Sequence, residues 1–166
     1  MKKLFIILIL ALVAAVATAD TLTIRGLFTE MPDSIIPYLS RNNRLDFIDF
    51  MDSKMKAEVT NDFGGKSLMT ALSDDSLSIR LNEACRLNIL LLTVTQPVDS
   101  SNQVIALVQT IGCEGEGEDT NVEFYSVRWR QLQNKPILTA DGEERIKRYL
   151  NTSNILKIIT EKLNKY

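Results

Sequence analysis

Two long apolar stretches, Leu87 to Thr95 and Gln103 to Ile111, flank the turn-forming run Pro97-Val98-Asp99-Ser100-Ser101. A turn centred on Asp99 sets Leu90, Leu92 and Val94 opposite Val108, Ala106 and Val104. On the other side Leu91 meets Leu107, and Ile89 meets Gln109. A hairpin that is apolar on both faces must be covered, so these strands are expected at the centre of a sheet with helix on at least one face.

A second hairpin precedes it. Leu68, Thr70 and Leu72 alternate before Asp74-Asp75, and Leu77, Ile79 and Leu81 follow. A two-residue turn pairs Leu72 with Leu77, Thr70 with Ile79 and Leu68 with Leu81, leaving Ser78, Arg80 and Asn82 outward. A last strand is expected over Val122 to Leu132, with Tyr125, Val127 and Trp129 on one face. Upstream, Asp20 to Pro32 reads as an extended entry. A short helix starts from Asp33 or Ser34, and a better-marked one carries Leu45, Ile48, Met51 and Met55 at helical spacing behind an Asn42 or Asn43 cap. Helix returns after Thr139 and again in an amphipathic segment with Ile155, Ile158, Ile159 and Leu163. The expected class is α+β: N-terminal helices packed on an antiparallel meander sheet of about five strands, closed by C-terminal helix.

The N-terminus carries a separate message. Lys2 and Lys3 precede an unbroken apolar run from Leu4 to Ala17, followed by Ala17-Thr18-Ala19. This is the pattern of a secretory signal peptide over residues 1–19, with cleavage expected before Asp20. The remainder, 20–166, is the size of a single exported domain and holds no further membrane span. Loss of Lys2 and Lys3 takes the net charge from −2 to −4. That mild acidity excludes the basic stripe a nucleic-acid partner requires. Histidine is absent, which removes the commonest general base and the usual zinc ligand. No cofactor and no metal site is expected, and an enzyme is disfavoured.

Five constellations remain. In the register above, Cys85 stands opposite Cys113, so an exported chain has a disulfide candidate there, with two half-buried thiols as the alternative. Asp46, Asp49 and Asp52 form either a cation-binding ridge or the solvated side of a helix. Glu114 to Asp119 is either a calcium loop or an acidic hairpin tip. Asn61-Asp62-Phe63-Gly64-Gly65-Lys66-Ser67 ends like a phosphate-cradling loop. However, Thr60 holds the place of the first glycine and strand follows, so a tight turn is expected. Tyr125, Arg128, Trp129 and Arg130 form either an exposed aromatic-basic patch or, for the rings, part of the core. The binding candidates are therefore Asp62, Lys66, Tyr125, Arg128 and Trp129, with no catalytic residue assigned.

Several stretches taken together resemble a known family. They are Leu27-Phe28-Thr29-Glu30-Met31-Pro32-Asp33-Ser34, Leu45-Asp46-Phe47-Ile48-Asp49-Phe50-Met51, Asn61-Asp62-Phe63-Gly64-Gly65-Lys66, and Phe124-Tyr125 with Trp129. The family comprises small exported Bacteroidales proteins catalogued only as a domain of unknown function. The resemblance spans essentially the whole mature chain. It implies a Gram-negative envelope, periplasmic or secreted, and carries over no catalytic or binding residue. The functional expectation is a non-catalytic binding module whose partner is an envelope protein or glycan. The alternative is a carboxylate-based hydrolase of an envelope polymer or glycan, with Asp62 as first candidate.

Overall fold

A computed structural model describes residues 22–112 and 118–150. The predicted signal segment, Cys113, most of the acidic loop and the final amphipathic segment lie outside them. Six strands form one antiparallel sheet in chain order: β1 (Glu58–Thr60), β2 (Lys66–Leu72), β3 (Ser76–Asn82), β4 (Cys85–Val98), β5 (Ser101–Ile111) and β6 (Asp119–Ser126). The short β1 makes the count six rather than five. Helices α1 (Ile24–Glu30) and α2 (Arg41–Asp52) cover one face. Residues 131–139 and helix α3, over 140–150, cover part of the other.

The central hairpin divides two cores. Odd-numbered Leu87, Ile89 and Leu91 join Ile105, Leu107 and the buried faces of α1 and α2. Even-numbered Leu90, Leu92 and Val94 join Val104, Ala106, Val108, Phe124, Leu138 and Ile146. The pairing differs from expectation by two residues: Leu90 stands opposite Ala106, and Cys85 opposite Ile111. An even slip keeps every side chain on its face, so hydrophobic patterning cannot detect it. What sets the register is a two-residue turn at Asp99–Ser100, closed by Val98 and Ser101. Both turn residues have positive φ, 53° and 65°, as a primed hairpin turn requires. Between Thr93 and Val98 the ladder shifts. There Thr95 N–H bonds to Ile137 O and Thr139 N–H to Thr93 O. Gly142 belongs at this crossing, because a Cβ there would sit 3.3 Å from Thr93 O.

The earlier hairpin keeps its Asp74-Asp75 turn and its Leu72–Leu77 pair, but a bulge at Thr70 puts Met69 opposite Ile79. The bulge brings Met69 inward, 3% exposed, and leaves Thr70 in solvent, which buries the larger apolar group. The last strand ends at Ser126, not Leu132. Ser126 Oγ accepts from the N–H groups of Arg128 and Arg130, and Trp129 N–H bonds to Ser126 O. The chain therefore reverses over 126–130, with Trp129 at φ 59°.

The N-terminal elements also change. Ile24 to Glu30 is helical, capped by the Thr23 side chain, and Ile24, Leu27, Phe28 and Met31 are all buried. Residues 33–40 form only turns, because Pro37 supplies no N–H and biases Ile36 away from helical geometry. The cap of α2 is Ser40, whose Oγ accepts from Asn43 N–H. Arg44, 1% exposed, staples this linker at both ends. Its guanidinium donates to Met31 O at 2.5 Å, Leu39 O at 2.6 Å and the Asp33 carboxylate at 2.7 Å. Its Nε is buried without a partner. Asp33 is 63% exposed, so the carbonyls rather than the carboxylate define the role of Arg44. Arg44→Met is expected to destabilise by about 2–4 kcal/mol, since it orphans two buried carbonyls. Asp33→Asn should shift stability by under about 1 kcal/mol. Urea unfolding of both variants checks this ordering.

Candidate functional site

The sequence-predicted binding residues fall into two groups at opposite edges of the sheet. Asp62 and Lys66 flank the β1–β2 turn; Tyr125, Arg128 and Trp129 lie at the end of β6. The structure does not bring them together.

Asn61 builds the first group. Its side chain is buried, accepts from the N–H groups of Phe63 and Gly65, and donates to Ser67 Oγ and Leu81 O. Asp62 N–H bonds to Tyr38 O and Gly64 N–H to Asn61 O. Four successive amides are thus engaged within the chain, so the loop has no nest left for a phosphate. Gly64 is required by its φ of +80°, and a Cβ on Gly65 would press on the Asn61 amide at 3.3 Å. Lys66 Nζ donates to Thr60 Oγ1. Asp62 and Phe63 stand outward, with the Phe63 ring 4.7 Å from that of Tyr38.

The aromatic pair of the second group belongs to the core. Tyr125 and Trp129 are 7% and 8% exposed, with ring centroids 5.7 Å apart. Trp129 Nε1 donates to Leu27 O of α1 at 2.8 Å. Tyr125 donates its O–H to Glu123, and burial together with that carboxylate pushes the phenol well above its usual range. Arg128 is exposed. The remaining constellations are solvated or structural. Asp46 and Asp49 face water, Asp52 pairs with Arg25, and Glu118 is buried against Arg86. Cys85 is a buried free thiol that accepts a hydrogen bond from Gln109. Among the described residues, no three His, Cys, Asp or Glu side chains gather as a metal site.

Concave surface occurs beside the first group, where Gly65 and Lys66 join Arg80, Asn82, Glu83 and Ala84 around a depression of about 590 Å3, and on either side of residues 131–135. A depression of about 520 Å3 opens between residues 96–99 at the end of β4 and residues 130–137. A second, of about 380 Å3, lies on the other side of 131–135, against β6 and α3. The 126–130 reversal positions both, because it sends the chain back along β6 before crossing to β4. Arg130 and Asp99 tie that reversal to the β4–β5 turn through an ion pair at the rim of the 520 Å3 depression. This contact holds the Asp99 carboxyl below the ordinary carboxylate range, with Ser126 assisting. Gln96, Gln131, Gln133 and Asn134 line these surfaces, and among the described residues their side chains make no hydrogen bond within the chain. Ile137, beside them, is 62% exposed. The string Gln131-Leu132-Gln133-Asn134-Lys135 was a signal available in the sequence: amides concentrated in a non-repetitive segment between strand and helix.

Asn61→Ala should lower stability by about 2–3 kcal/mol through lost buried hydrogen bonds. Asp62→Ala and Lys66→Ala should stay within about 0.5 kcal/mol, as denaturant titration will show. Because the carboxyl of Asp99 is depressed in the folded state, its contribution is present at neutral pH and lost as pH falls below about 4. Arg130→Gln is therefore expected to flatten the acid limb of the stability–pH curve and leave its alkaline limb unchanged.

The fold has a solved counterpart. A domain of an uncharacterized protein from Porphyromonas gingivalis W83 superposes with a TM-score of 0.51 at 21% identity, over 66% of this chain and 53% of that one. This chain thus spans about half the length of that structure, and at such identity the likeness concerns fold alone. A search among curated proteins finds no match. The family model described as "Protein of unknown function (DUF3256)" matches residues 16–161, and the chain belongs to that family.

Proposed function

We propose that this chain is an exported, non-catalytic binding module of the bacterial cell envelope. It captures a partner protein or envelope component on the surfaces flanking residues 131–135. Export rests on the charged, apolar and small-residue pattern of residues 1–19. The observation that carries the binding reading is a contrast. The backbone amides of residues 62–65 are engaged internally and Lys66 Nζ is bonded to Thr60, whereas Gln96, Gln131, Gln133 and Asn134 surround concave surface with their hydrogen-bonding capacity free. Such groups fix orientation and specificity in binding sites.

A carboxylate hydrolase is the weaker reading. Asp62 stands on an outward turn at the other edge of the sheet, away from the depressions flanking residues 131–135, and does not line the one beside Gly65 and Lys66. Asp99 lines the 520 Å3 depression but is held ionised by Arg130, the wrong state for a proton donor. Glu123, at the smaller one, accepts the Tyr125 hydroxyl.

Crosslinked capture from native envelope extract tests the proposal. The purified protein, with an N-terminus expected at Asp20, should retain one saturable component. The triple substitution Gln131→Ala, Gln133→Ala and Asn134→Ala should abolish retention with little change in melting temperature, while Asp62→Ala should bind normally. Capture that survives the triple substitution places the site elsewhere.

A further inference from the structure

The sheet ends on β6, and the outer edge of that strand is only half covered. Ser126 N–H bonds to Arg130 O and Leu132 N–H to Phe124 O, each at 2.8 Å. Residues 130–132 therefore add to the edge as a short antiparallel strand around the Tyr125–Gln131 bridge. These bonds also fix which way the β6 backbone faces. Ser126 and Phe124 turn their peptide groups away from β5. The β5–β6 ladder runs without a register shift, so Val122, two residues on, does the same. Beyond Leu132 the chain bends away at 133–134. Among the described residues, no backbone group bonds to the outward side of Val122 or to Phe124 N–H. The gap that opens is the 380 Å3 depression, walled by Val122, Phe124, Leu132, Ile146 and Leu150. Native proteins guard such edges with charge, bulges or a covering segment. Here the covering segment starts and then stops short.

We infer that this edge takes an extended peptide segment of a partner protein. The peptide continues the line of residues 130–132 along β6 and seats an apolar side chain against Phe124, Ile146 and Leu150. The inference rests on the binding-module reading and names the occupant of its site. An extended backbone supplies donors and acceptors at the spacing of a strand edge, while alternate side chains enter the adjoining pocket. The pocket has that arrangement: unpaired backbone of β6 along one wall and aliphatic side chains from α3 beside it.

Amide exchange by NMR on the purified protein is the first test. Val122 and Phe124 amides should exchange fast, and those of Glu123 and Tyr125, which face β5, slowly. Slow exchange at Val122 in the free protein means the chain already covers its own edge and overturns the proposal. A displayed library of random heptapeptides is the second probe. Selected peptides should slow exchange at Val122. They should lose about tenfold in affinity or more when backbone N-methylation falls on alternate positions of one parity, and little on the other. Val122→Pro, tolerated at an outward edge position, should weaken the same peptides by a similar factor. An empty selection, or N-methyl effects without parity, overturns strand addition. If capture from envelope extract still depends on Gln131, Gln133 and Asn134, the binding reading stands and the occupant is of another class.

Discussion

Burial of β4 and β5 on both faces is the constraint from which the other elements take their places. A strand pair this apolar cannot leave either side in water. Helices α1 and α2 cover one side, with Trp129 pinned to α1 through Leu27 O. The other side is covered by a less regular layer, residues 131–139 and α3, which reaches the sheet through Val94–Leu138 and Thr95–Ile137 contacts. The two depressions flanking residues 131–135 form where the irregular layer meets the sheet. Helices α1 and α2 present regular apolar stripes that fill the space over the sheet, whereas a loop that must cross from β6 to β4 leaves space on both sides of its path.

Legibility in the sequence followed the strength of alternation. Where one face is polar, as in Leu77, Ile79 and Leu81 against Ser78 and Arg80, orientation was readable, and burial matches it. Where both faces are apolar, as in β4 and β5, any even slip satisfies the pattern, so the register depended on the turn. A two-residue turn at Asp99–Ser100, without glycine, was the less expected choice. Two helical signals were legible but outweighed. Ile24, Leu27, Phe28 and Met31 fall at helical spacing behind Thr23, although Leu22 and Ile24 also alternate. The helix expected from Asp33 or Ser34 does not form, because Pro37 leaves residues 33–40 as turns.

The binding candidates show what composition cannot report. Glycines, Asp and Lys at 61–66 look like ligand chemistry, yet the Asn61 side chain turns those amides inward. Tyr125 and Trp129 look like a stacking platform on one strand. The reversal at Ser126 instead folds them together against α1. Whether a polar group is free depends on long-range contacts such as Asn61 to Leu81 or Trp129 to Leu27, and no local pattern encodes them. Conversely, the amides of 131–134 match no motif. Their interest comes from where the chain crossing places them.

The central claim is that partner contact is made at residues 131–135 and not at the Asn61–Lys66 turn. A photo-crosslinking side chain placed at Asn134 in living cells, compared with one at Asp62, tests it most directly. A discrete adduct from position 134 and none from 62 is the result predicted. An adduct from position 62, with position 134 silent, would contradict it.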